Sequence, residues 1–331
     1  LFSIPNFFSS QIGVLPQSKV KLGLDLQGGA HLLLEVEVDE VIKTTMESFE
    51  SEVRRELRRR KPRINYTGGI RVEGTDIIVR GVKKDQKETA LKRLTTIDRD
   101  LSVAASGNNI VVRFTEEALK TRRQRAIEQS IEVVRRRVDE TGVSEPIIQQ
   151  QGSERIIVQM PGIKDPERIK DLLGKTAKLT FHIVDDENTS ALNSNLAPFG
   201  KMIVLDLYDE NIKYLLNKRA VVGGENLVDA KGSFDQTEGH AVSFRFDTEG
   251  AQKFGKVTTN NIGKRMAVVL DGVVITAPRI SSAITGGSGI ITGNFNAQEA
   301  SDLAVLLRAG ALPAPLEIVE ERSVGAGLGA D

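Results

Sequence analysis

The chain of 331 residues has no cysteine and no tryptophan, and aromatic residues make up only 5% of it. Disulfides, thiol nucleophiles and cysteine-based metal sites are thereby excluded, and a chain without thiols carries no signal of its redox compartment. Neither sign of charge is in excess, with 45 Lys and Arg against 45 Asp and Glu. A global electrostatic pull toward nucleic acid or acidic substrates is therefore missing, and any basic patch must be local. No run approaches the ~18 apolar residues of a membrane span, and the opening LFSIPNFFSS lacks the basic and apolar regions of a secretory signal. The chain reads as soluble. A start at Leu1 and an abrupt end in GAGLGAD give the expectation of a segment from a longer protein. On a prior of about 150 residues per domain, the length suits two domains, each able to bury its own core.

What is present is clear patterning. In LGLDLQGGAHLLLEVEV (22–38), Leu22, Leu24, Leu26, Gly28, Ala30, Leu32, Leu34, Val36 and Val38 are apolar or small, while Asp25, Gln27, His31, Glu35 and Glu37 alternate with them. This is period-2 strand patterning. Its parity survives the glycine pair, so Gly28-Gly29 reads as a bend in one long strand rather than a phosphate-binding turn. Ile42, Met46, Phe49, Val53 and Leu57 form a helical stripe that stops before Pro62. Strands near 64–72 and 76–80, a helix from about Lys84 to Ile97 and a hairpin around SGNN (106–109) follow. A helix from Thr121 to Thr141, with Ile127, Ile131, Val134 and Val138 on one side, ends at Gly142. Two strands then turn at Gly152-Ser153, and a short helix in KDPERIKDLLGK has aspartate as N-cap, proline at its first position and glycine past its end.

The order is β, α, β, β, α, for which either AKLTFHIVD or APLEIVEER could supply a last strand. From about 176 the pattern resets into a second unit. The stretch from Asp186 to Phe234 reads as irregular. Beyond it come a strand in HAVSFRFD, a helix near 248–262, strands in RMAVVLDGVVITAP and GIITGNF, and a helix from 297 to 309 ended by Gly310. The fold class expected is α+β, with two α+β units and a return strand.

Catalytic signatures are absent from the sequence. GKT (174–176) fails as a P-loop, because the motif needs a glycine where Ile169 stands and because the triplet ends a helix instead of opening one. His31, His182 and His240 fall singly in strand patterns without metal-ligand spacing, and no GxSxG element occurs. No enzyme activity and no cofactor are expected. The basic runs RRELRRRKPR (54–63) and TRRQRAIEQSIEVVRRRVDE (121–140) could face nucleic acid on a split βαβ platform. Against this, glutamates are interleaved, Glu50 four before Arg54 and Glu56 four before Arg60, the order that supports a solvated helix. Base-stacking aromatics are also missing from strands such as RIIVQMPG.

Four blocks in order carry a family resemblance: LGLDLQGG (22–29), RRRVDETGVSEPIIQQQGSERIIVQMPGI (135–163), ITGNFNAQEASDLAVLLRAGALPAP (291–315) and EIVEERSVGAGLGAD (317–331). Together they resemble the large extracytoplasmic domain of the SecD family, RND-related subunits of the bacterial Sec translocase. The family usually reads Gly-Pro-Ser/Thr-Leu-Gly in the last block, where this chain has Ala326 and Gly327, which implies a looser junction here.

The resemblance implies a lead-in at 1–20 and a ferredoxin-like (split βαβ) base subdomain from 21–38, 121–175 and 314–325. It also implies an additional α+β insertion at 39–120, an inserted α+β head subdomain at 176–313 and a junction at 326–331 to a following membrane helix. It places the domain on the periplasmic face of the inner membrane, with SecF, the SecYEG channel, YajC and unfolded preproteins as partners and no nucleic acid. The implied function is to capture and pull emerging preproteins in proton-motive-force-driven export. Proton coupling needs ionisable groups within the bilayer, and no run of this chain reads as crossing it.

Asp25, Gln27, Gly28, Gly29, Gly142, Glu145 and Pro146 are carried over as family motif and strand bend. Gly174, Lys175, Ala311, Pro313 and Pro315 are expected to form a hinge, which a cysteine pair at Leu173 and Leu307 would lock. Phe244, Phe246, Phe254, Phe295 and Leu303 are the expected preprotein-contact surface. Two alternatives stay open: an RNA-binding split βαβ module, betrayed by steeply salt-dependent RNA binding, and a passive scaffold that positions SecF, betrayed by head deletions that spare export.

Overall fold

Alternation of apolar residues makes β1 (Gly29–Val36) a strand with one sealed face, where Ala30, Leu32, Leu34 and Val36 are at most 2% exposed. The computed structural model describes residues 29–324 apart from 60, 164 and 189. After β1 come α1 (Val38–Arg59), β2 (Ile70–Glu73), β3 (Asp76–Val79), α2 (Lys87–Thr95), β4 (Leu101–Ser106), β5 (Asn109–Phe114) and α3 (Glu116–Glu140). β6 (Ile147–Gln151), β7 (Arg155–Pro161) and α4 (Pro166–Gly174) complete the first half. The second half runs β8 (Leu179–Ile183), α5 (Ser190–Ser194), β9 (Lys201–Leu205), β10 (Lys213–Asn217), β11 (Val222–Gly223), β12 (Leu227–Asp235) and β13 (Gly239–Phe246). It ends with α6 (Thr248–Asn260), β14 (Met266–Leu270), β15 (Val273–Thr276), β16 (Ser288–Phe295), α7 (Ala297–Ala309) and the return strand β17 (Leu316–Val324).

Two four-stranded sheets share the first core. One has the order β17-β1-β7-β6, every neighbour antiparallel, with Leu32 facing Glu321 on one side and Val158 on the other. The other has the order β2-β3-β5-β4. The stripe of α1 joins them, with Ile42, Met46, Val53 and Leu57 buried and Phe49 set edge-on to Phe114 at 6.0 Å. The segment from α1 to β5 is thus no appendage, since its apolar residues and those of β1, β7, α3 and α4 form one continuous cluster. A second core lies between the sheets β11-β8-β14-β15 and β12-β13-β16 under α6 and α7. The hairpin β9-β10 caps it over a small cluster of its own.

The structure amends the sequence reading in three places and decides a fourth that the pattern leaves open. α3 starts at Glu116, not Thr121, because Thr115 caps it by accepting a hydrogen bond from the Ala118 amide at 3.2 Å. Its first turn therefore belongs to the stretch expected to be part of the insertion. β17, not β8, completes the first sheet. The stretch from Asp186 to Phe234 is not irregular and holds β9, β10, β11, most of β12 and the short α5. Its strands are short and separated by Asp, Asn, Gly and Pro, which hides their alternation. Finally, β2 begins only at Ile70; before it, Tyr66 makes an isolated bridge to Val82.

Candidate functional site

The two cores meet where the chain crosses twice, once after α4 and once after α7. Gly174 is the last residue of α4, and Lys175 leaves it in an extended conformation. Gly310 follows α7 at φ +88°, a conformation that only glycine adopts without strain. The crossings are tied together, because the Leu312 amide donates to the Thr176 carbonyl at 2.8 Å. Leu312 and Ala314 belong to the first core, whereas Leu307 belongs to the second. Ala311 is exposed, and Pro313 and Pro315 are half-buried. The Pro315 carbonyl accepts from the Glu37 amide at 3.0 Å, anchoring the outgoing crossing beside the start of α1.

One buried side chain organises this joint. Arg137, one turn from the end of α3, is 0% exposed. Its Nη1 donates to the carbonyls of Leu172 at 2.6 Å, Leu173 at 3.5 Å and Lys175. Its Nη2 donates to the carbonyls of Thr176 at 3.2 Å and Gly310 at 3.3 Å. Burial pulls the guanidinium down to about 10, opposed by the charge of Asp271, so it remains a cation at neutral pH. Asp271, in the turn between β14 and β15, accepts from the amides of Ala177 at 2.9 Å and Lys178 at 2.8 Å. Ala177 sits there at φ +59°.

Two ion pairs flank the joint. Arg308 of α7 holds Glu140 of α3 through two bonds, 2.6 and 3.1 Å. Arg168 of α4 grips a single oxygen of Asp302 on α7 at 2.7 and 3.0 Å. The hydrogen bond from Arg308 holds the Glu140 carboxyl below its ordinary range. Between these polar contacts lie the packed helices α3 and α7 and an apolar cluster of Leu172, Ala177 and Leu306, with Leu270 against it.

Arg137 was hidden in the run RRR. The signal that could have found it is spacing, because Ser130, Val134 and Arg137 share one helix face and are all buried. A charge on a buried stripe needs partners, and five carbonyls supply them.

Of the expected motif residues, Gly29, Gly142, Glu145 and Pro146 fall at the end of the first sheet remote from the start of α1. Asp25, Gln27 and Gly28 lie outside the described residues. Gly29 opens β1 at φ +145° and pairs with Pro161 and Val324. Gly142 closes α3 at φ +78°, its amide donating to the Asp139 carbonyl at 3.0 Å. Glu145 takes φ +53° just before Pro146 and β6.

The expected preprotein surface needs correction. Phe244, Phe246, Phe254 and Leu303 are 3–6% exposed and form the second core, where Phe181 stacks among the three phenylalanines at 5.4–5.6 Å. Phe295 is partly buried against them. Phe244, Phe246, Phe254 and Leu303 hold the body together and present no surface, and Phe295 is half-buried at its edge. Exposed apolar residues lie elsewhere, at Phe199, Leu207, Tyr208 and Ile212 around the β9-β10 hairpin and at Phe234 and Ile290 on the β12-β13-β16 sheet. The pair at Leu173 and Leu307 is likewise buried, one residue in each core.

The basic helices carry salt-bridged surfaces: Arg54 pairs with Glu50, Arg122 with Asp100, and Arg135 and Arg136 with Glu132. Arg60 lies outside the described residues. Of the histidines, His182 is buried, donates from Nδ1 to the Asn217 carbonyl at 2.8 Å, and is held below the ordinary imidazole range by burial. No group of three or more His, Asp or Glu is placed to hold a metal among the described residues.

Three family models match parts of the chain. The family described as the SecDF P1 head subdomain matches residues 201–314, the N-terminal part of the SecDF P1 domain matches 127–186, and the SecD/SecF GG motif matches 13–40. The SecD protein of Rickettsia bellii is 43% identical over 331 residues, covering 99% of this chain and 63% of its own length. The chain belongs to the SecD family. SecD of Rhodobacter capsulatus is 42% identical over 327 residues, covering 96% of the chain and 59% of its own length. The chain thus spans somewhat under two thirds of the length of these SecD relatives. A crystal structure of SecDF in its super-membrane-facing form is 29% identical, covers 96% of this chain and 33% of that one, and superposes with a TM-score of 0.54. The head match ends at residue 314, just past the second crossing, and the GG match includes Gly28 and Gly29. SecD relatives are translocase subunits; among the described residues of this chain, no helix is long and apolar enough to cross a membrane.

Proposed function

We propose that this chain is the periplasmic part of a SecD subunit that grips an emerging preprotein and moves it, in proton-driven export with SecF and the SecYEG channel and with YajC nearby. The first body is the base, built as a ferredoxin-like plait; what supports this is the chain order β1, α3, β6, β7, α4, β17 with sheet order β17-β1-β7-β6. The second body is the head, and the crossings at 174–176 and 310–313 are its hinge.

The observation that carries the reading is the division of the core. Each body buries its own apolar cluster, and among the described residues they meet through the packing of α3 against α7, the arginine clasp, two ion pairs, the Leu312–Thr176 bond and the Leu172–Ala177–Leu306 cluster. A joint that rests largely on polar contacts permits relative motion more readily than an extensive dry one. Emerging polypeptide has no fixed sequence, so sequence-tolerant apolar contacts suit its capture. The head offers these at Phe199, Leu207, Tyr208 and Ile212.

The test is to bridge the joint. Glu140→Cys and Arg308→Cys replace a pair in direct contact, and the chain has no other cysteine. Bridging them with a short bismaleimide in the assembled translocase is expected to lower preprotein export several-fold relative to the unbridged double variant. Undiminished export by the bridged complex contradicts a moving head.

A further inference from the structure

We propose that Arg137 is a latch that sets the angle of the second body on the first: one edge of its guanidinium caps α4, and the other holds both crossings against α3. The inference rests on the two-body reading above.

The argument begins with what a helix end needs. The last carbonyls of α4 have no partners within the helix, and a cation near them is favourable. Nη1 meets this need at Leu172, Leu173 and Lys175, which would suffice for a structural cap. Nη2 reaches away from α4, to Thr176 and to Gly310, the residue that ends α7, and these two lie on different crossings far apart in sequence. A single group of the first body therefore fixes both chains that lead into the second.

The strength of the hold is that of a latch and not a rivet. Among the described residues Arg137 bonds to carbonyls and to no carboxylate, and the Nη2 bonds are longer than the shortest Nη1 bond. Neutral carbonyls bind a guanidinium less tightly than the bidentate acid pairs typical of permanent buried arginines. Its Nε is buried without a hydrogen-bond partner, leaving one donor free for a second arrangement. The flanking pairs Glu140–Arg308 and Arg168–Asp302 are partly exposed, with side chains 20–36% accessible, and pairs of that kind hold weakly. Release of Thr176 and Gly310 by Nη2, with Nη1 still on α4, would free the second body without unravelling the first.

Because the chain has no cysteine, Gln149→Cys on β6 and Thr237→Cys beyond β12, both exposed, give unique spin-label sites on the two bodies. Pulsed EPR on the full chain then reads the distance between them for the parent, Arg137→Met, Arg137→Lys and Glu140→Gln. The expected result is at least a tenfold rise in the population of displaced distances for Arg137→Met, a smaller rise for Arg137→Lys, and the parental distribution for Glu140→Gln. Hydrogen exchange in β1 and β13 reports whether both bodies stay folded. A parental distribution in Arg137→Met with both strands protected overturns the latch. If that variant unfolds, a parental distribution in Arg137→Lys does so instead. Failure of the moving-head reading is seen separately, as a parental distance that stays fixed in the working translocase.

Discussion

A single carboxylate, Asp185, ties the segment after β8 to β9. It pairs with Lys201 at 2.8 Å, accepts from the Asn188 side chain at 2.8 Å and receives the amides of Glu187 and Asn188. Its bonds to Lys201 and then Asn188 lower it from 3.8 to about 2. A depressed carboxyl stabilises the fold fully above its unfolded value, and that contribution fades as pH falls through the folded one. The stability gap between parent and Asp185→Asn should therefore be constant from pH 7 to about 5 and close between about 4 and 2. Urea unfolding followed by far-UV circular dichroism measures it, and a gap that does not vary with pH contradicts the assignment. Residues of this kind are poorly legible in sequence, since Asp185-Asp186 looks like any solvated acidic pair until Lys201 is brought to it. Arg137 was missed for a related reason, because a run of three arginines says nothing about which one points inward. Phe244 and Phe246 were legible as one face of a strand, but an apolar face is what a core consumes, so their reading as surface was the wrong inference from the right pattern.

Elements with strong local punctuation were read closely. α4 has its Asp165 cap accepting from the Arg168 amide at 3.1 Å, Pro166 at its first position and Gly174 at its end. Replacing that cap, Asp165→Ala, is expected to cost about 1 kcal/mol, measured as a lower urea midpoint with an unchanged slope. Amide exchange should accelerate first in α4, and equal loosening of α4 and α1 would contradict a local cap effect. α7 is similarly fixed by a capping box between Asn296 and Glu299. Elements without such signals were lost. β9 and β10 are five residues each and, among the described residues, pair with one another, with single bridges from Leu216 of β10 to Val184 and from Asp206, just past β9, to Val274, so tertiary pairing and not local alternation defines them. The choice of β17 over β8 as the return strand was likewise undetermined by pattern, because both segments are apolar enough to fill the place.

At the scale of the whole molecule, the boundary between units was visible as a reset of pattern near 176, and the two cores part there. The joint itself was legible only as glycines and prolines. The clasp, the ion pairs and the Leu312–Thr176 bond are long-range and leave no periodic trace. On the function proposed above, this arrangement lets the second body turn as a unit about 174–176 and 310–313. The measurement that tests this most directly is the Gln149–Thr237 label distance in the membrane-embedded translocase, with and without a proton-motive force. A second distance is expected to become populated when the membrane is energised and preprotein is moving. One narrow distance, identical in both conditions while export proceeds, would contradict it.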